Sequence, residues 1–539
     1  MGDGGTMRRD ARTGAMDAIL RGKRFTLGVS AALALILAPA PAIAEPVRLD
    51  PGALPAVGRV DERFQSYNVE MAEIIGGRFW RPYARMNEAP EAPSASGQAV
   101  ALNARLFATR PPLDTTNRRL RVLARALGPA YIRVSGSWAN TLYFQNDDAP
   151  PLSAPPEGYQ GVLTRAQWRG VVAFARAVDA KLVTSFAINP AVRDAAGVWT
   201  PIQARGFVAY THAIGGEIYA AELYNEPNLS EHAGGPAHYD GPAFARDMAA
   251  FRSFAAQAAP NMLIAGPGDV STANYIVPGS TSLEELMRAE PRPRFDIFSY
   301  HFYPAVSQRC SPPVPPVGAS AEDALTEAWL ARTDIALQAR KPLRDRYAPN
   351  TPIWLSETGG AACGGTPWDA TFHDTFRYLD QMGRLAKQGV GAIFHNTLAA
   401  SEYALIDDAT LEPRPSYWAA LLWRRLMGPV VRDAGELRPG FHVYAHCLRG
   451  RRGGVSVLAI NNGDTPASFE APLRAEAYML TAPTAQSATV HLNGEPLAMR
   501  SHDRLPQLRP QRLRQANVTL APASIGFIAL PGANNPNCR

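Results

Sequence analysis

Short apolar segments alternate with helical stretches over residues 63–395, and this alternation limits the fold more than any other feature of the sequence. Each apolar segment has the length of a buried strand, and amphipathic helices are predicted between several of them. The eight predicted strands are Arg63–Glu70, Tyr131–Val134, Leu182–Ala187, Ile218–Tyr224, Met262–Ala265, Phe295–Tyr300, Ile353–Ser356 and Gly391–His395. The predicted helices are Arg118–Leu127, Arg165–Val178, Gly241–Ala259, Ala321–Arg340 and Asp374–Gly389. This pattern predicts an α/β fold, a closed parallel (β/α)8 barrel rather than a doubly wound sheet.

The pattern changes after Trp418–Leu426, where short alternating segments continue without predicted helices. The predicted strands of this part are His442–Cys447, Val455–Asn461, Ala477–Leu480, Thr489–Leu492, Asn517–Leu520 and Ile525–Leu530. A series of short strands of this kind predicts a β-sandwich. We therefore assign residues 61–425 to a catalytic barrel and residues 426–539 to a C-terminal β-sandwich domain.

Two glutamates stand where predicted barrel strands give way to loops. Glu226 lies in Glu222-Leu223-Tyr224-Asn225-Glu226-Pro227-Asn228 after the fourth strand, and Glu357 follows the seventh strand in Ile353-Trp354-Leu355-Ser356-Glu357. The carboxyl ends of barrel strands build the active site of this fold, so the two carboxylates are expected to converge on one mouth. A pair of carboxyl groups is what glycoside hydrolysis requires, one to protonate the leaving oxygen and one to attack or to activate water. The alternative is that both are ordinary carboxylates at strand ends.

The N-terminal residues 1–44 have the form of an export signal. Three basic residues within 21–24 precede the apolar run Phe25–Leu37, and Ala42-Ile43-Ala44 offers a small-residue cleavage site. The apolar run is too short to span a membrane comfortably. We expect export to the periplasm or the extracellular space without stable membrane insertion; an uncleaved N-terminal anchor is the alternative.

Charge gives little indication of a polyanionic partner. The net charge is +6, and +3 of it falls within residues 1–44. The rest of the chain is only weakly basic, so nucleic acid is not an expected partner.

Four cysteines, Cys310, Cys363, Cys447 and Cys538, make an even number in a chain expected to be exported, so disulfides are expected. The sequence alone permits three pairings. No spacing of cysteine and histidine indicates a zinc site, and we expect neither a metal nor another cofactor.

Motifs in both parts of the chain resemble those of glycoside hydrolase family 79, the heparanase and β-glucuronidase family. The motif Asn225-Glu226-Pro227-Asn228 resembles that family's acid/base motif, and Ser356-Glu357-Thr358 resembles its nucleophile motif. Further similar motifs are Tyr300-His301-Phe302-Tyr303, Glu402-Tyr403-Ala404-Leu405-Ile406-Asp407-Asp408, Pro415-Ser416-Tyr417-Trp418, Tyr444-Ala445-His446-Cys447 and Val490-His491-Leu492-Asn493-Gly494. The resemblance implies a retaining glycosidase acting on glycans or glucuronides that carry β-linked glucuronic acid.

The resemblance also implies roles for individual residues. Glu226 would be the acid/base and Glu357 the nucleophile, with Asn225 contacting the sugar 2-hydroxyl. The other implied substrate-binding residues are Glu70, His301, Tyr303, Gly364, Gly365 and Tyr403. The two glycines would offer backbone N–H groups to the sugar carboxylate beside Tyr403, whereas His301 is expected to support the catalytic groups by hydrogen bonding.

The resemblance further implies that Cys447 pairs with Cys538, and we expect Cys310 and Cys363 to pair with each other. Residues 45–60 are expected to join the C-terminal sandwich. Two other functions remain open from the sequence: a barrel glycosidase acting on a neutral sugar, such as a xylosidase or glucosidase, and a glycan-binding protein that has lost catalysis. The polysaccharide or aglycone, the choice between internal and chain-end cleavage, and the oligomeric state do not follow from the sequence.

Overall fold

A computed structural model of the chain describes residues 45–89, 104–272, 279–310 and 320–539. The predicted export signal at residues 1–44 lies outside the described residues. Within those described ranges, no helix combines the length and the apolar character needed to cross a membrane.

Eight parallel strands close into a barrel in chain order, which confirms the predicted (β/α)8 fold. The barrel strands are β1 (Gln65–Glu70), β2 (Ala130–Ser135), β3 (Ala180–Thr184), β4 (Ile218–Ala221), β5 (Leu263–Thr272), β6 (Ile297–Tyr303), β7 (Ile353–Thr358) and β8 (Ala392–His395). Buried strands of a parallel barrel are apolar on both faces because side chains fill the interior and helices cover the outside. For this reason the apolar runs of the sequence predicted the strands.

The main helices of the barrel are Met71–Ile75, Arg118–Leu127, Arg165–Ala177, Ile202–Ala213, Gly241–Ala258, Leu283–Arg288, Glu327–Leu330, Arg332–Tyr347, Phe372–Lys387 and Pro415–Leu426. Local capping explains several of their starts: Asn117 accepts a hydrogen bond from the Leu120 N–H, and Thr164 forms a capping box with Gln167. The predicted helix Ala321–Arg340 was wrong at its start, because Thr326 caps a helix that begins at Glu327. Four helices of the described residues were not predicted: Met71–Ile75, Ile202–Ala213, Leu283–Arg288 and Pro415–Leu426.

The C-terminal part forms two sheets that pack face to face, as predicted for a β-sandwich. The larger sheet contains Ala56–Arg59, Met427–Arg432, Phe441–Leu448, Val455–Asn461, Ala475–Thr481, His491–Leu492, Glu495–Pro496, Gln511–Leu513 and Ser524–Leu530. The smaller sheet contains Val47–Arg48, Ala467–Ala471 and Ala516–Leu520. Residues 45–60 thus supply one strand to each sheet, Val47–Arg48 beside Ala467–Ala471 and Ala56–Arg59 beside Met427–Arg432.

The structure contains the disulfide between Cys447 and Cys538, with a Cα–Cα distance of 5.2 Å. The expected pairing of Cys310 with Cys363 is wrong in this structure, where both cysteines are free. Their loops are joined by backbone hydrogen bonds from Ser307 to Ala362 and from Ala362 to Ala305, so the side chains meet without a covalent bond. A hydrogen bond between the two thiols, together with burial, raises the pKa of Cys363 well above its ordinary value.

Candidate active site

Two carboxyl groups converge at the mouth of the barrel. Glu357 lies within β7, whereas Glu226 comes five residues after the end of β4 and not directly at the strand end. The backbone of Glu226 is left-handed, with φ of 56°, and it opens the short helix Pro227–His232. Oxygen atoms of Glu226 and Glu357 lie within 4.8 Å of each other. This short separation suits a direct attack on the sugar better than the wider gap of about 6.5–9.5 Å that leaves room for a water molecule.

Glu357 accepts hydrogen bonds from an arginine and from a tyrosine hydroxyl. The Arg133 Nη1 donates to Glu357 Oε2 at 2.9 Å, and the Tyr303 hydroxyl donates to Glu357 Oε1 at 2.7 Å. Burial raises the pKa of Glu357, and Arg133 and the Tyr303 hydrogen bond oppose that rise. Arg133 and Tyr303 therefore favour the ionised form of Glu357 against the effect of burial.

Glu226 has the opposite environment. Burial is the largest cause that raises its pKa well above the ordinary value, and the charge of Glu357 raises it further. The His301 Nδ1 lies 3.0 Å from Glu226 Oε1. Burial and the Arg133 charge lower the pKa of His301 well below its ordinary value, so the imidazole is neutral. Of the two carboxyl groups, Glu226 is thus the one whose surroundings favour the protonated form more strongly.

Arg133, on β2, contacts both Glu357 and the segment that leads to Glu226. Besides Glu357, its guanidinium donates to Glu222 Oε2 at 2.9 and 2.8 Å and to Asn225 Oδ1 at 2.7 Å. Glu222 is itself held by the hydroxyls of Ser299 and Ser356 at 2.9 and 3.0 Å. This buried network holds Asn225, the residue before Glu226, in a fixed position relative to Glu357.

Four of the residues expected to bind the sugar lie near the glutamate pair. Asn225 is anchored by Arg133 and by Asn140, whose Oδ1 accepts from the Asn225 N–H at 2.9 Å. Glu70 ends β1, and its carboxyl fills the space that a Cβ at Gly136 would need, since that Cβ would overlap the Glu70 Oε2 atom. Tyr303 and Tyr403 stack with ring centroids 6.4 Å apart. The structure therefore brings Asn225, Glu70, Tyr303 and Tyr403 together around the catalytic pair.

The two glycines differ in what their backbone offers. The Gly365 N–H already donates to the Ala361 carbonyl at 3.1 Å, so the expectation that it is a free donor was wrong. Among the described residues, the Gly364 N–H has no hydrogen-bond acceptor. Gly364 has a φ of +82°, and an added Cβ would lie 2.7 Å from the Trp80 side chain, so only glycine fits without a shift.

Three residues of the site were not found from the sequence: Arg133, Glu222 and Asn396. Arg133 and Glu222 carried a signal, since each is a charged residue inside or directly after an apolar strand. Asn396 follows β8, and its Nδ2 lies within hydrogen-bond distance of Glu70, Tyr303 and Tyr403. It has no comparable sequence signal, because an amide after a strand is common in loops.

Within the described part of the chain, ligand atoms of Glu226, His301 and Glu357 approach one another closely enough to hold a metal ion. Arg133 already neutralises Glu357 in this group, and a second cation beside it would be repelled. The chemistry that fits the group is proton transfer and nucleophilic attack, and a barrel with such a pair is that of a glycoside hydrolase.

Comparisons with known proteins agree with this class. The family model "Glycosyl hydrolase family 79, N-terminal domain" matches residues 108–383. Heparanase-like protein 1 of Arabidopsis thaliana is 26% identical over 493 residues, covering 79% of this chain and 86% of the relative. Baicalin-beta-D-glucuronidase of Scutellaria baicalensis is 30% identical over 234 residues, covering 40% of this chain and 44% of the relative.

A similar solved structure is that of a 4-O-alpha-L-rhamnosyl-beta-D-glucuronidase from Fusarium oxysporum, with a TM-score of 0.58 and 13% identity. The match covers 88% of this chain and 99% of the solved chain. At that identity the likeness concerns the fold. The chain belongs to glycoside hydrolase family 79.

Proposed function

We propose that this glycoside hydrolase cleaves β-linked glucuronic acid from glycans or glucuronides with retention of configuration. Free neutral donors next to the glutamate pair are the observation that carries the proposal. The Gly364 N–H and the Tyr403 O–H have no acceptor among the described residues. The two residues are near each other, because the N–H of Glu402, next to Tyr403, donates a hydrogen bond to the Gly364 carbonyl. Neutral N–H and O–H donors bind a carboxylate well when they converge on it.

The buried arginines near these donors support recognition by neutral groups. Arg133 is bound to Glu222 and Glu357, and Arg309 is paired with Glu402 at 2.6 Å. Each of these two guanidiniums therefore already has a carboxylate partner. A sugar carboxylate entering the pocket would be held by Gly364 and Tyr403 rather than by a free arginine.

The chemistry proceeds in two displacements. Glu357 attacks the anomeric carbon, the glycosidic C–O bond breaks, and the proton of Glu226 passes to the leaving oxygen. Water then attacks the anomeric carbon, Glu226 takes its proton, and the bond to Glu357 breaks, so the enzyme returns to its starting state. The close approach of the two carboxyls and their opposite environments support this assignment.

Export of the enzyme is part of the proposal. A disulfide between Cys447 and Cys538 suits an oxidising compartment. The apolar run Phe25–Leu37 has the form of an export signal. The substrate would then be an extracellular or periplasmic oligosaccharide, polysaccharide or glucuronide.

The test compares kcat/KM for an aryl β-glucuronide and the matching aryl β-glucoside. A buried donor left without its partner costs about 1–3 kcal/mol. Several such donors should make the glucuronide the better substrate by at least about 100-fold. Tyr403→Phe should reduce this preference and leave glucoside turnover within a few-fold. Comparable values for both sugars in the unmodified enzyme would reject the proposal and favour a glycosidase for neutral sugars, whereas no turnover of any glycoside would favour a glycan-binding protein.

A further inference from the structure

Asn396 occupies a buried position between the catalytic pair and the tyrosines. It follows β8, its backbone N–H donates to the Thr358 carbonyl at 2.7 Å, and only 1% of its surface is exposed. The side-chain Nδ2 lies 3.0 Å from the Tyr303 hydroxyl, 3.1 Å from the Tyr403 hydroxyl and 3.2 Å from Glu70 Oε1. One amide group therefore contacts three of the residues expected to bind the sugar.

The direction of these hydrogen bonds determines what each tyrosine offers. A phenol oxygen that accepts a hydrogen bond from an amide must aim its own hydrogen elsewhere. The Tyr303 hydroxyl accepts from Asn396 and donates to Glu357. The Tyr403 hydroxyl also accepts from Asn396, and no described residue accepts its hydrogen.

Packing restricts both tyrosine rings, whereas rotation about the phenol C–O bond still moves the hydroxyl hydrogen. The two rings stack at an angle of 29°, and an added Cβ at Gly359 would lie 3.0 Å from the Tyr403 ring and 3.2 Å from the Tyr303 ring. The Tyr403 oxygen therefore stays beside Asn396. Burial raises the pKa of Tyr403 well above its ordinary value, so it remains a neutral donor.

We propose that Asn396 is a specificity-determining positioning residue: by donating to the Tyr403 oxygen, it turns the Tyr403 hydrogen into the pocket toward an anionic substituent of the sugar. This inference rests on the proposed glucuronide specificity and names the residue that enforces it. Asn396 does not touch the reacting atoms. An acceptor at position 396 would capture the Tyr403 hydrogen and leave a phenol oxygen facing the sugar carboxylate.

The decisive variant is Asn396→Asp, which keeps the size of the side chain and replaces the donor by an acceptor. We expect its ratio of kcat/KM for aryl β-glucuronide over aryl β-glucoside to fall by at least about 10-fold. Because Asn396 also donates to Tyr303 and lies beside Glu70, turnover of both sugars should fall, and that of the glucuronide should fall more. Asn396→Leu, which has a similar shape and no charge, should give a smaller loss in the same direction. If Asn396→Asp does not fold, the Leu variant decides the question.

Double-variant kinetics separate positioning from simple charge repulsion. If the carboxylate of the Asn396→Asp variant acts by capturing the Tyr403 hydrogen, adding Tyr403→Phe should cause little further loss of preference, because both changes remove the same donor. Losses that multiply would overturn the proposal, since direct repulsion of the sugar carboxylate does not depend on Tyr403. An unchanged ratio in Asn396→Asp, or an equal loss for both sugars, would overturn it as well.

A matched control comes from the sandwich domain. Asn461 is also buried and donates through Nδ2 to the Thr465 and Leu520 carbonyls, so Asn461→Asp makes the same chemical change away from the barrel mouth. It should lower the melting temperature and leave the substrate ratio unchanged; a changed ratio would mean that instability alone alters selectivity, which would overturn the role assigned to Asn396.

The unmodified enzyme serves as the test of the proposed glucuronide specificity. If it shows no preference for the glucuronide, the proposed function fails, and this inference fails with it; if the preference exists and Asn396→Asp retains it, only the inference fails.

Discussion

Glu226 and Glu357 have the same side chain, and their neighbours make them chemically different. Glu357 accepts hydrogen bonds from Arg133 and the Tyr303 hydroxyl. Glu226 instead lies beside the neutral imidazole of His301 and near the negative charge of Glu357. We expect Glu357→Gln to abolish turnover of every glycoside. Glu226→Ala should retain activity on aryl glycosides whose leaving groups are acidic, because such groups need little protonation. The measurement is a plot of log kcat/KM against leaving-group pKa, and an equal loss at every leaving group would contradict these roles.

Arg133 gives a prediction for the pH profile. Its guanidinium lowers the pKa of Glu357, so the ionised nucleophile persists to lower pH than burial alone would allow. Arg133→Lys keeps one charge but lacks the fork that contacts Glu222, Glu357 and Asn225 together. The pKa of Glu357 should then rise, and the acid limb of kcat/KM should move to higher pH by about one unit or more.

Arg377→Lys is the matched control for this profile. Arg377 is also buried and binds Asp374 with two nitrogens on helix Phe372–Lys387, without contact to Glu357. This change should affect stability and leave the acid limb in place. An acid limb that stays fixed in Arg133→Lys would contradict the role assigned to Arg133.

At the scale of elements, the strands were easier to predict than the contacts between them. Each barrel strand is a short apolar run, so the sequence located all eight, and β7 carried Glu357 at its carboxyl end as expected. Asn396 illustrates what the sequence does not contain. Its role arises only when β8 closes against β1, which brings residues 326 positions apart, Asn396 and Glu70, within 3.2 Å.

The cysteines show the same distinction. Cys310 and Cys363 were expected to pair with each other, and their loops are joined by backbone hydrogen bonds in the structure. A covalent bond requires a particular distance and direction of the two side chains, which the position of the loops does not determine. The sequence therefore predicted the neighbourhood and not the absence of the bond.

A charged cluster joins a barrel helix to the large sheet of the sandwich. His442, on strand Phe441–Leu448, contacts Asp380 Oδ1 through Nδ1 at 2.5 Å and Glu327 Oε2 through Nε2 at 2.9 Å. Arg384 and Tyr444 also bind Asp380. Burial would lower the pKa of His442, but the hydrogen bonds to Asp380 and Glu327 outweigh it and raise the pKa to about 9.

This cluster predicts loss of stability at alkaline pH. A histidine whose pKa is higher in the folded state stabilises fully below its unfolded value near 6.5, and the contribution disappears as the pH rises through about 9. The difference corresponds to about 3 kcal/mol as an upper figure. The urea midpoint of the unmodified enzyme should therefore decrease as the pH is raised from about 6 to about 9.5. His442→Gln should lower the midpoint near pH 6 and make it less dependent on pH.

His446 on the same strand provides the control for that measurement. It is buried, and burial lowers its pKa to about 4 despite the hydrogen bond to the Gly428 carbonyl. His446→Gln should change stability at acid pH and leave the alkaline loss intact. An alkaline loss that survives in His442→Gln would show that another group titrates there.

At the scale of the whole molecule, the end of the chain is fastened to the sandwich by one covalent link. Cys447 lies in the strand Phe441–Leu448, and its disulfide to Cys538 closes a loop with a sequence separation of 91 residues. The residues just before Cys538 also contact the start of the described chain. Asn535 donates through Nδ2 to the Pro51 and Leu54 carbonyls at 2.9 and 3.0 Å. Loss of the link would therefore loosen both ends of the described chain at once.

Removing this disulfide should destabilise the sandwich more than the active site. Closing a loop of this length in the unfolded chain is worth about 2–5 kcal/mol, so the double variant Cys447→Ala with Cys538→Ala should lower the urea midpoint accordingly. The double variant Cys310→Ala with Cys363→Ala is the matched control: it removes the same number of sulfur atoms from thiols that are free in the structure. Under non-reducing conditions the first variant should unfold at lower urea than the control, and adding a reductant should lower the midpoint of the unmodified enzyme but not that of the first variant. Equal midpoints for the two double variants would contradict a stabilising role for the Cys447–Cys538 link, because the loop it closes would then contribute nothing beyond the loss of two buried side chains.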